Sequence, residues 1–273
     1  MSGELSLPEA LLLGLVEGIT EFLPVSSTGH LLFVNELVGL GAGGSGSAAD
    51  TFAVAIQFGA ILAVLVLLRA RIASMVRGVT GADDAGRNLL VAVVAAFVPA
   101  GLVGALAGDR IKEVLFGPVP VVVAWAVGGV VLLMWRPSGA GRPLEEIDVR
   151  TALIVGVVQV LAMWPGVSRS LVTILVAVLA GMSLAAALEF SFLLGLITLS
   201  AATVLDGSRN GADLVEAFGW TAPLVGLVTA FLAALVAVHW LRRHVSPGAF
   251  RALGLYRLGV ALLGLILLLT GTV

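Results

Sequence analysis

The sequence predicts an all-α integral membrane protein with six transmembrane helices and two re-entrant helical hairpins in an inverted-topology repeat. Hydrophobic residues make up 59% of the 273 positions, only 12% are charged, and the mean hydropathy is +1.12. A soluble domain is nearer half apolar and a quarter charged. The absence of cysteine excludes disulfides and thiolate metal sites. The N-terminus lacks the basic region of a signal peptide, so we expect one mature membrane domain covering 1–273.

The first polar motif begins at Glu17 and reads EGITEFLPVSSTGH. Glu17 and Glu21 are four residues apart, so they share one face of a helix. Pro24 disfavours a helical conformation just before it and ends that helix nearby. Either Ser26 or Ser27 is suited to cap the N-terminus of the next helix. The motif therefore predicts a broken helix whose break is lined with polar groups.

The second polar motif begins at Gln159 and reads QVLAMWPGVSRSLVT. It repeats the plan of a helix, a proline break and a hydroxyl-rich restart, and it adds Arg169. The segments upstream of the two breaks also match locally, with Gly14-Leu-Val-Glu17 in the first and Gly156-Val-Val-Gln159 in the second. The chain therefore contains two related halves.

The helices on either side of each break are shorter than the ~20 apolar residues that a membrane span needs, so each pair predicts a re-entrant hairpin. Each hairpin is followed by three spans, an odd number that inverts the second half. The first repeat, 6–135, contains short helices at 6–23 and 27–40 and spans at 50–68, 87–107 and 118–135. The second, 148–270, contains short helices at 148–164 and 168–180 and spans at 183–205, 221–242 and 250–270.

The distribution of basic residues predicts the orientation, because cytoplasmic loops are enriched in Lys and Arg. One face collects ten arginines, at positions 69, 71, 77, 87, 136, 142, 150, 242, 243 and 251, whereas the other has only Arg110, Lys112 and Arg209. We therefore expect a multi-pass protein of the cell membrane with its arginine-rich face in the cytoplasm. Both termini would lie outside, with the site open to the outer face.

The charged groups of the two motifs indicate a phosphate site. Each charged side chain at membrane depth costs roughly 2.5–3.5 kcal/mol, so Glu17, Glu21 and Arg169 are expected to have a task beyond a structural ion-pair cluster. The N-termini of both restarting helices and the guanidinium suit a phosphate or pyrophosphate. The two carboxylates either share a proton or hold a hard divalent cation, Mg or Ca, and we favour the cation because it also clamps a pyrophosphate. Hydroxyl donors are predicted from Ser26, Ser27, Thr28, Ser168, Ser170 and Thr173.

Several roles stay open at this level. Ser27 is either a nucleophile or a plain helix cap, with water attacking in the second case. His30 either faces the same break as Ser27 or caps a helix end, and either His30 or Glu21 would serve as the base for Ser27. Arg257 in the last span is predicted to snorkel, to pair with Glu189, or to approach the site.

Together the motifs resemble those of the undecaprenyl-diphosphate phosphatase family of the bacitracin-resistance type. The resemblance covers essentially the whole chain, with further matches at 57–64, 189–194 and 256–257. It implies hydrolysis of a polyprenyl diphosphate to the monophosphate, which recycles a lipid carrier for cell-wall or glycan assembly. The chain departs from the family pattern at Leu171, Leu184 and Thr198, where Gly, Arg and Pro are usual; these positions lie beside the predicted site rather than in it.

By the same resemblance, Glu17 and Glu21 match the family's essential acids, and Ser27 and His30 its proposed nucleophile and acid/base. Arg169 matches its phosphate clamp, together with Ser168 and Thr173. The rival hypothesis is a transporter or flippase for a polyprenyl phosphate or another anion, since inverted repeats with broken helices are a transporter plan. The expected partners are the bilayer and a polyprenyl diphosphate, with a homodimer as one oligomeric state and no nucleic acid.

Overall fold

The computed structural model describes residues 5–40, 46–137 and 140–273, and all the regular elements in these ranges are helical. The α-helices are α1 Leu7–Thr20, α2 Ser27–Leu37, α3 Gly46–Leu67, α4 Arg69–Val79, α5 Asp84–Leu115, α6 Pro118–Met134, α7 Val149–Gln159, α8 Arg169–Leu179, α9 Leu184–Phe218, α10 Thr221–Arg243 and α11 Pro247–Leu269. Single 3-10 turns occupy Leu144–Glu146 and Val160–Met163. The predicted all-α class is confirmed for the described part of the chain.

Within those ranges, five helices are long and apolar enough to cross a membrane: Ala49–Leu67, Asp84–Leu115, Leu184–Phe218, Thr221–Arg243 and Pro247–Leu269. The span predicted at 118–135 corresponds to α6, an apolar helix of 17 residues that is shorter than these five. Two predicted spans are longer than expected, because α5 and α9 contain 32 and 35 residues. The chain is a multi-pass membrane protein.

Helix α4 was not predicted; it follows α3 after a single non-helical residue, Leu68. Three arginines interrupt its apolar pattern, so it lacks the hydrophobicity of a span. It packs against the start of α5 where two glycines allow close contact of the backbones. A Cβ on Gly78 would collide with the backbone nitrogen of Arg87, and one on Gly86 would collide with the carbonyl oxygen of Ser74.

Helix caps are set by local sequence. Ser6 and Glu9 form the reciprocal capping box of α1, and Pro8 lies in its first turn. Asp148 caps α7 by accepting a hydrogen bond of 2.6 Å from the backbone N–H of Thr151, and it also accepts one of 2.9 Å from Arg142. These contacts lower the pKa of Asp148 to about 2.

The two halves pack across each other. α1 lies on α10, where a Cβ on Gly14 or Gly18 would collide with carbonyl oxygens of α10, and α7 lies on α5, where Gly156 fits against the carbonyl of Ala96. α3 packs on α9, and α6 packs on α11. This arrangement brings the break after α1 and the break after α7 into one place.

Candidate active site

The two breaks have the same local backbone. Ser26 precedes α2 and Ser168 precedes α8, with φ values of 71° and 74°; in the described ranges they are the only residues other than glycine with positive φ. Each serine caps its helix, since Ser26 Oγ accepts from Gly29 N–H at 3.4 Å and Ser168 Oγ accepts from Leu171 N–H at 3.3 Å. Such strained conformations persist where the surrounding structure fixes them, often at functional sites.

Hydrogen bonds join the two breaks directly. The backbone N–H of Gly166 donates to Ser26 Oγ at 3.1 Å, and Ser170 Oγ donates to the carbonyl oxygen of Leu23 at 2.9 Å. These contacts hold the N-termini of α2 and α8 side by side. The two polar motifs therefore form a single site, although they lie more than a hundred residues apart in the chain.

At the centre of the site, Glu21 accepts two hydrogen bonds from side chains of opposite halves. Ser27 Oγ donates to its Oε2, and Arg169 Nη2 donates to its Oε1 at 2.9 Å. All three side chains are buried or nearly so. Because Ser26 caps α2, the hydroxyl of Ser27 is not used as a cap. The structure thus assigns the cap to Ser26 and places a carboxylate on the Ser27 hydroxyl.

Arg169 is held in a defined orientation. Its Nη1 donates to the carbonyl oxygen of Ser191 at 3.0 Å, and its guanidinium carbon lies 5.2 Å from the centroid of the Phe22 ring. Gly195 makes room for it, since a Cβ there would collide with Nη1. The buried Nε has no hydrogen-bond partner among the described residues, so one donor stays available for a phosphate oxygen.

Glu17 lies one helical turn before Glu21 and is only 1% exposed. Its carboxylate is within hydrogen-bonding reach of Glu21 and Gln57, yet its buried Oε1 has no partner among the described residues. The described ranges contain no group of three His, Cys, Asp or Glu side chains arranged for a metal. Two carboxylates beside an amide and the Ser27 hydroxyl still provide the oxygen ligands that Mg²⁺ and Ca²⁺ prefer.

The ring of His30 contacts Ser26, Tyr256 and Trp125. Its Nδ1–H donates to the carbonyl oxygen of Ser26 at 2.7 Å, so Nε2 is free to accept from the hydroxyl of Tyr256 at 2.9 Å. The ring is also stacked on Tyr256 and lies 4.9 Å from the ring of Trp125, measured between centroids. Both ring nitrogens of His30 are therefore engaged with groups other than Ser27, whereas Glu21 contacts the Ser27 hydroxyl directly.

The five hydroxyls predicted to bind substrate have different surroundings. Thr28 is exposed. The other four are buried and bond within the protein: Ser26 and Ser168 as caps, Ser170 to the other break, and Thr173 to Ser191 Oγ at 2.7 Å. They shape the site more directly than they present free donors to a ligand.

Comparison with known proteins identifies the family of the chain. The family model described as bacitracin resistance protein BacA matches residues 10–263. The chain belongs to the BacA family. An undecaprenyl-diphosphatase of Sorangium cellulosum is 42% identical to it over 93% of this chain and 84% of its own length. Undecaprenyl-diphosphatase 3 of Acinetobacter baylyi is 40% identical over 97% and 98%, and an undecaprenyl-diphosphatase of Cereibacter sphaeroides is 41% identical over 96% and 97%.

In this BacA family member, the structure shows which of the three predicted surroundings Arg257 has. It is fully buried and donates to three backbone carbonyls: Pro24 in the first break at 3.1 Å, Gly166 in the second break at 2.7 Å, and Ala124 of α6 at 2.8 Å. Gly128 provides the space, because a Cβ there would collide with Nη2. Arg257 therefore approaches the site and joins both breaks.

Glu189, the alternative partner considered for Arg257, instead accepts from Arg71 at 3.2 Å and from Arg242 at 3.1 Å. Gln159 is a second residue whose position the sequence did not reveal. It is 2% exposed, and neither side-chain polar atom has a partner among the described residues. The only signal was its match to Glu17 in the repeated local segment.

Proposed function

We propose that the protein hydrolyses undecaprenyl diphosphate to undecaprenyl monophosphate and inorganic phosphate, recycling the carrier for cell-wall or glycan assembly. The observation that carries this proposal is the Ser27–Glu21–Arg169 hydrogen-bonded chain at two adjoining helix N-termini. A hydroxyl on a carboxylate, next to a cation, suits phosphoryl transfer. Transport of an anion requires no such activated hydroxyl. The names of the relatives support the same substrate.

The geometry supports the following chemistry. Glu21 takes the proton of Ser27 as Oγ attacks the terminal phosphorus, and the bond from that phosphorus to the bridging oxygen breaks, releasing the polyprenyl monophosphate. Water then cleaves the phosphoserine and regenerates Ser27. Arg169 and the free N–H groups at the start of α2 and α8 stabilise the negative charge on the transferred phosphoryl group. His30 holds the Ser26 carbonyl, and so the turn that presents Ser27.

The basic test is phosphate release from undecaprenyl diphosphate by the purified protein in detergent. We expect turnover with the diphosphate and none with the monophosphate, since the latter lacks a phosphoanhydride bond. Absence of any phosphate release from a folded preparation would contradict the proposed function and leave the transporter hypothesis.

A divalent cation, Mg or Ca, is proposed to be held by Glu17 and Glu21. When bound, it would neutralise charge on the diphosphate. We expect chelation to abolish hydrolysis and re-addition of the metal to restore it, and Glu21→Gln to weaken metal dependence as well as rate. Phosphate release and direct metal titration would both be measured. Full activity in chelator would instead favour a proton shared between the two acids.

Arg169 is proposed to clamp the phosphate. Breaking a buried charge contact costs roughly 2–5 kcal/mol, so Arg169→Lys should lower kcat/KM about 30-fold or more. A lysine keeps the charge but cannot reach the Ser191 carbonyl, Glu21 and a phosphate together. Arg209→Lys, outside the site, serves as the control. Near-normal kinetics for Arg169→Lys would assign Arg169 to a structural ion pair with Glu21.

For the topology, we propose that α3, α5, α6, α9, α10 and α11 span the membrane and that α1–α2 and α7–α8 form the re-entrant hairpins. The packing of α1 on α10 and of α7 on α5 supports an inverted repeat, because exchange of the two halves maps one contact onto the other. The arginine-rich face would be cytoplasmic. A homodimer stays a prediction.

The orientation is tested with single cysteines, which the natural chain lacks. Cysteines at Ser45 and at the C-terminus should react with an impermeant thiol reagent from outside, whereas one at Ser138 should not. Ser45 and Ser138 lie outside the described residues and were chosen from the predicted loops. If the cysteine at Ser138 reacted and the one at the C-terminus did not, the inverted repeat would stand but its orientation in the membrane would be the reverse of the one proposed.

A further inference from the structure

Two adjoining cavities flank the C-terminal end of α10, and no residue of the two breaks lines either of them. One, of about 280 Å³, lies between α9 and α10 and is lined by polar groups including Glu189 and Arg242. The other, of about 490 Å³, lies between α10 and the end of α3 and has mainly apolar walls. His239 and Arg243 line both cavities, so these two side chains stand where the polar and apolar spaces meet.

The polar cavity carries a net positive charge. Glu189 accepts hydrogen bonds from both Arg71 and Arg242, so its charge is compensated. Arg243 is exposed, and no described residue forms an ion pair or hydrogen bond with its side chain; the same holds for His239. The C-terminal end of a helix carries about half a negative charge, which a full charge on Arg243 exceeds. The cavity therefore favours an anion.

The apolar cavity favours a hydrocarbon chain. Its walls include Leu67, Leu235, Val236 and Trp240, of which Val236 and Trp240 are 71% and 43% exposed. Trp240 is held in place by stacking on His244, with ring centroids 5.4 Å apart. Free phosphate would leave the apolar cavity empty, whereas a molecule with an anionic head group and an alkyl chain would fill both the polar and the apolar cavity.

We propose that these cavities bind one anionic phospholipid from the leaflet on the arginine-rich side. Its phosphate contacts Arg243 and His239, and an acyl chain lies along Leu235, Val236 and Trp240. Basic pockets between transmembrane helices on the cytoplasmic side are suited to such head groups. The site is independent of the proposed hydrolysis, because it shares no residue with the breaks.

The test uses the full-length protein reconstituted in vesicles of equal parts phosphatidylglycerol and phosphatidylcholine, followed by native mass spectrometry of the lipids retained. We expect one retained phosphatidylglycerol per chain in the wild type, and about a fivefold lower preference over phosphatidylcholine in Arg243→Gln. The control is Arg150→Gln, which removes another exposed arginine of the same face and should keep the preference. Both variants should melt at the wild-type temperature.

A second measurement separates lipid from free anion. Phosphatidylglycerol with brominated acyl chains should quench wild-type tryptophan fluorescence more than that of Trp240→Phe, and excess inorganic phosphate should not relieve the quenching. Displacement by phosphate would make this an anion site without an acyl chain and overturn the proposal. Unchanged preference in Arg243→Gln, or an equal loss in Arg150→Gln, would reduce it to general attraction by the basic face.

Discussion

Replacing Ser27 with alanine is expected to lower kcat more than about a thousandfold while leaving the fold intact, the loss typical of a removed nucleophile. The fold should survive because Ser26, not Ser27, caps α2. Loss of a cap would cost only about 1 kcal/mol of stability and would barely change turnover in a folded protein. The measurement is steady-state phosphate release in detergent, with thermal unfolding followed in parallel.

Two further observations complete this experiment. Ser208→Ala, an exposed serine far along α9, should leave kcat unchanged. Rapidly quenched wild-type enzyme should carry a phosphate on Ser27. If Ser27→Ala stays within about tenfold of wild type and no adduct forms, water attacks the diphosphate directly and Ser27 only orients Glu21.

Replacing Arg257 with methionine is expected to lower kcat by roughly a hundredfold, because displacement of reacting groups by about 1 Å has effects of that size. The methionine leaves the carbonyls of Pro24, Ala124 and Gly166 without their donor, and each unsatisfied buried group costs about 1–3 kcal/mol. The melting temperature should therefore fall as well. Arg257 acts through the position of the two breaks and touches neither Ser27 nor Glu21 in the structure.

Comparing the change in kcat with the change in KM distinguishes this positioning role of Arg257 from a general loss of stability. Below its melting temperature, Arg257→Met should show reduced kcat with KM changed much less, since Arg169 still binds the phosphate. Arg257→Lys should recover part of the rate because it restores one donor. Arg251→Met, an exposed arginine in the first turns of the same helix, is the matched control. Wild-type kcat in a destabilised Arg257→Met would show that the breaks hold their geometry without it.

The parts of the site that the sequence predicts are those set by neighbours in the chain. The spacing of Glu17 and Glu21 and the proline at 24 act within a few residues, so the first break and its acids could be predicted from local rules. The same is true of a serine cap at the first break, although choosing Ser26 over Ser27 required the backbone conformation, and the matching cap at Ser168 was not predicted. Local rules also predicted most helix positions, with boundaries shifted by a few residues.

Contacts between segments that are distant in the chain could not be predicted from local sequence patterns. Arg257 and Pro24 are 233 positions apart, and His30 and Tyr256 are 226 apart, so nothing in either motif revealed their pairing. Helix α4 was missed for a different reason. Its arginines lower its hydropathy below that of a span, and its packing depends on Gly78 and Gly86 meeting α5 rather than on its own pattern.

The cross-half contact between Glu21 and Arg169 also imposes an order of events on biogenesis. The two residues are 148 positions apart, so at ~5–20 residues per second roughly 7–30 s of synthesis separate them. During that interval the first hairpin has its two glutamates but not Arg169, and burying the unpaired carboxylates in lipid would be costly. We expect the nascent hairpin to wait in the headgroup region and to be drawn inward only once α8 arrives, so that it inserts later than the helices that follow it directly in the chain.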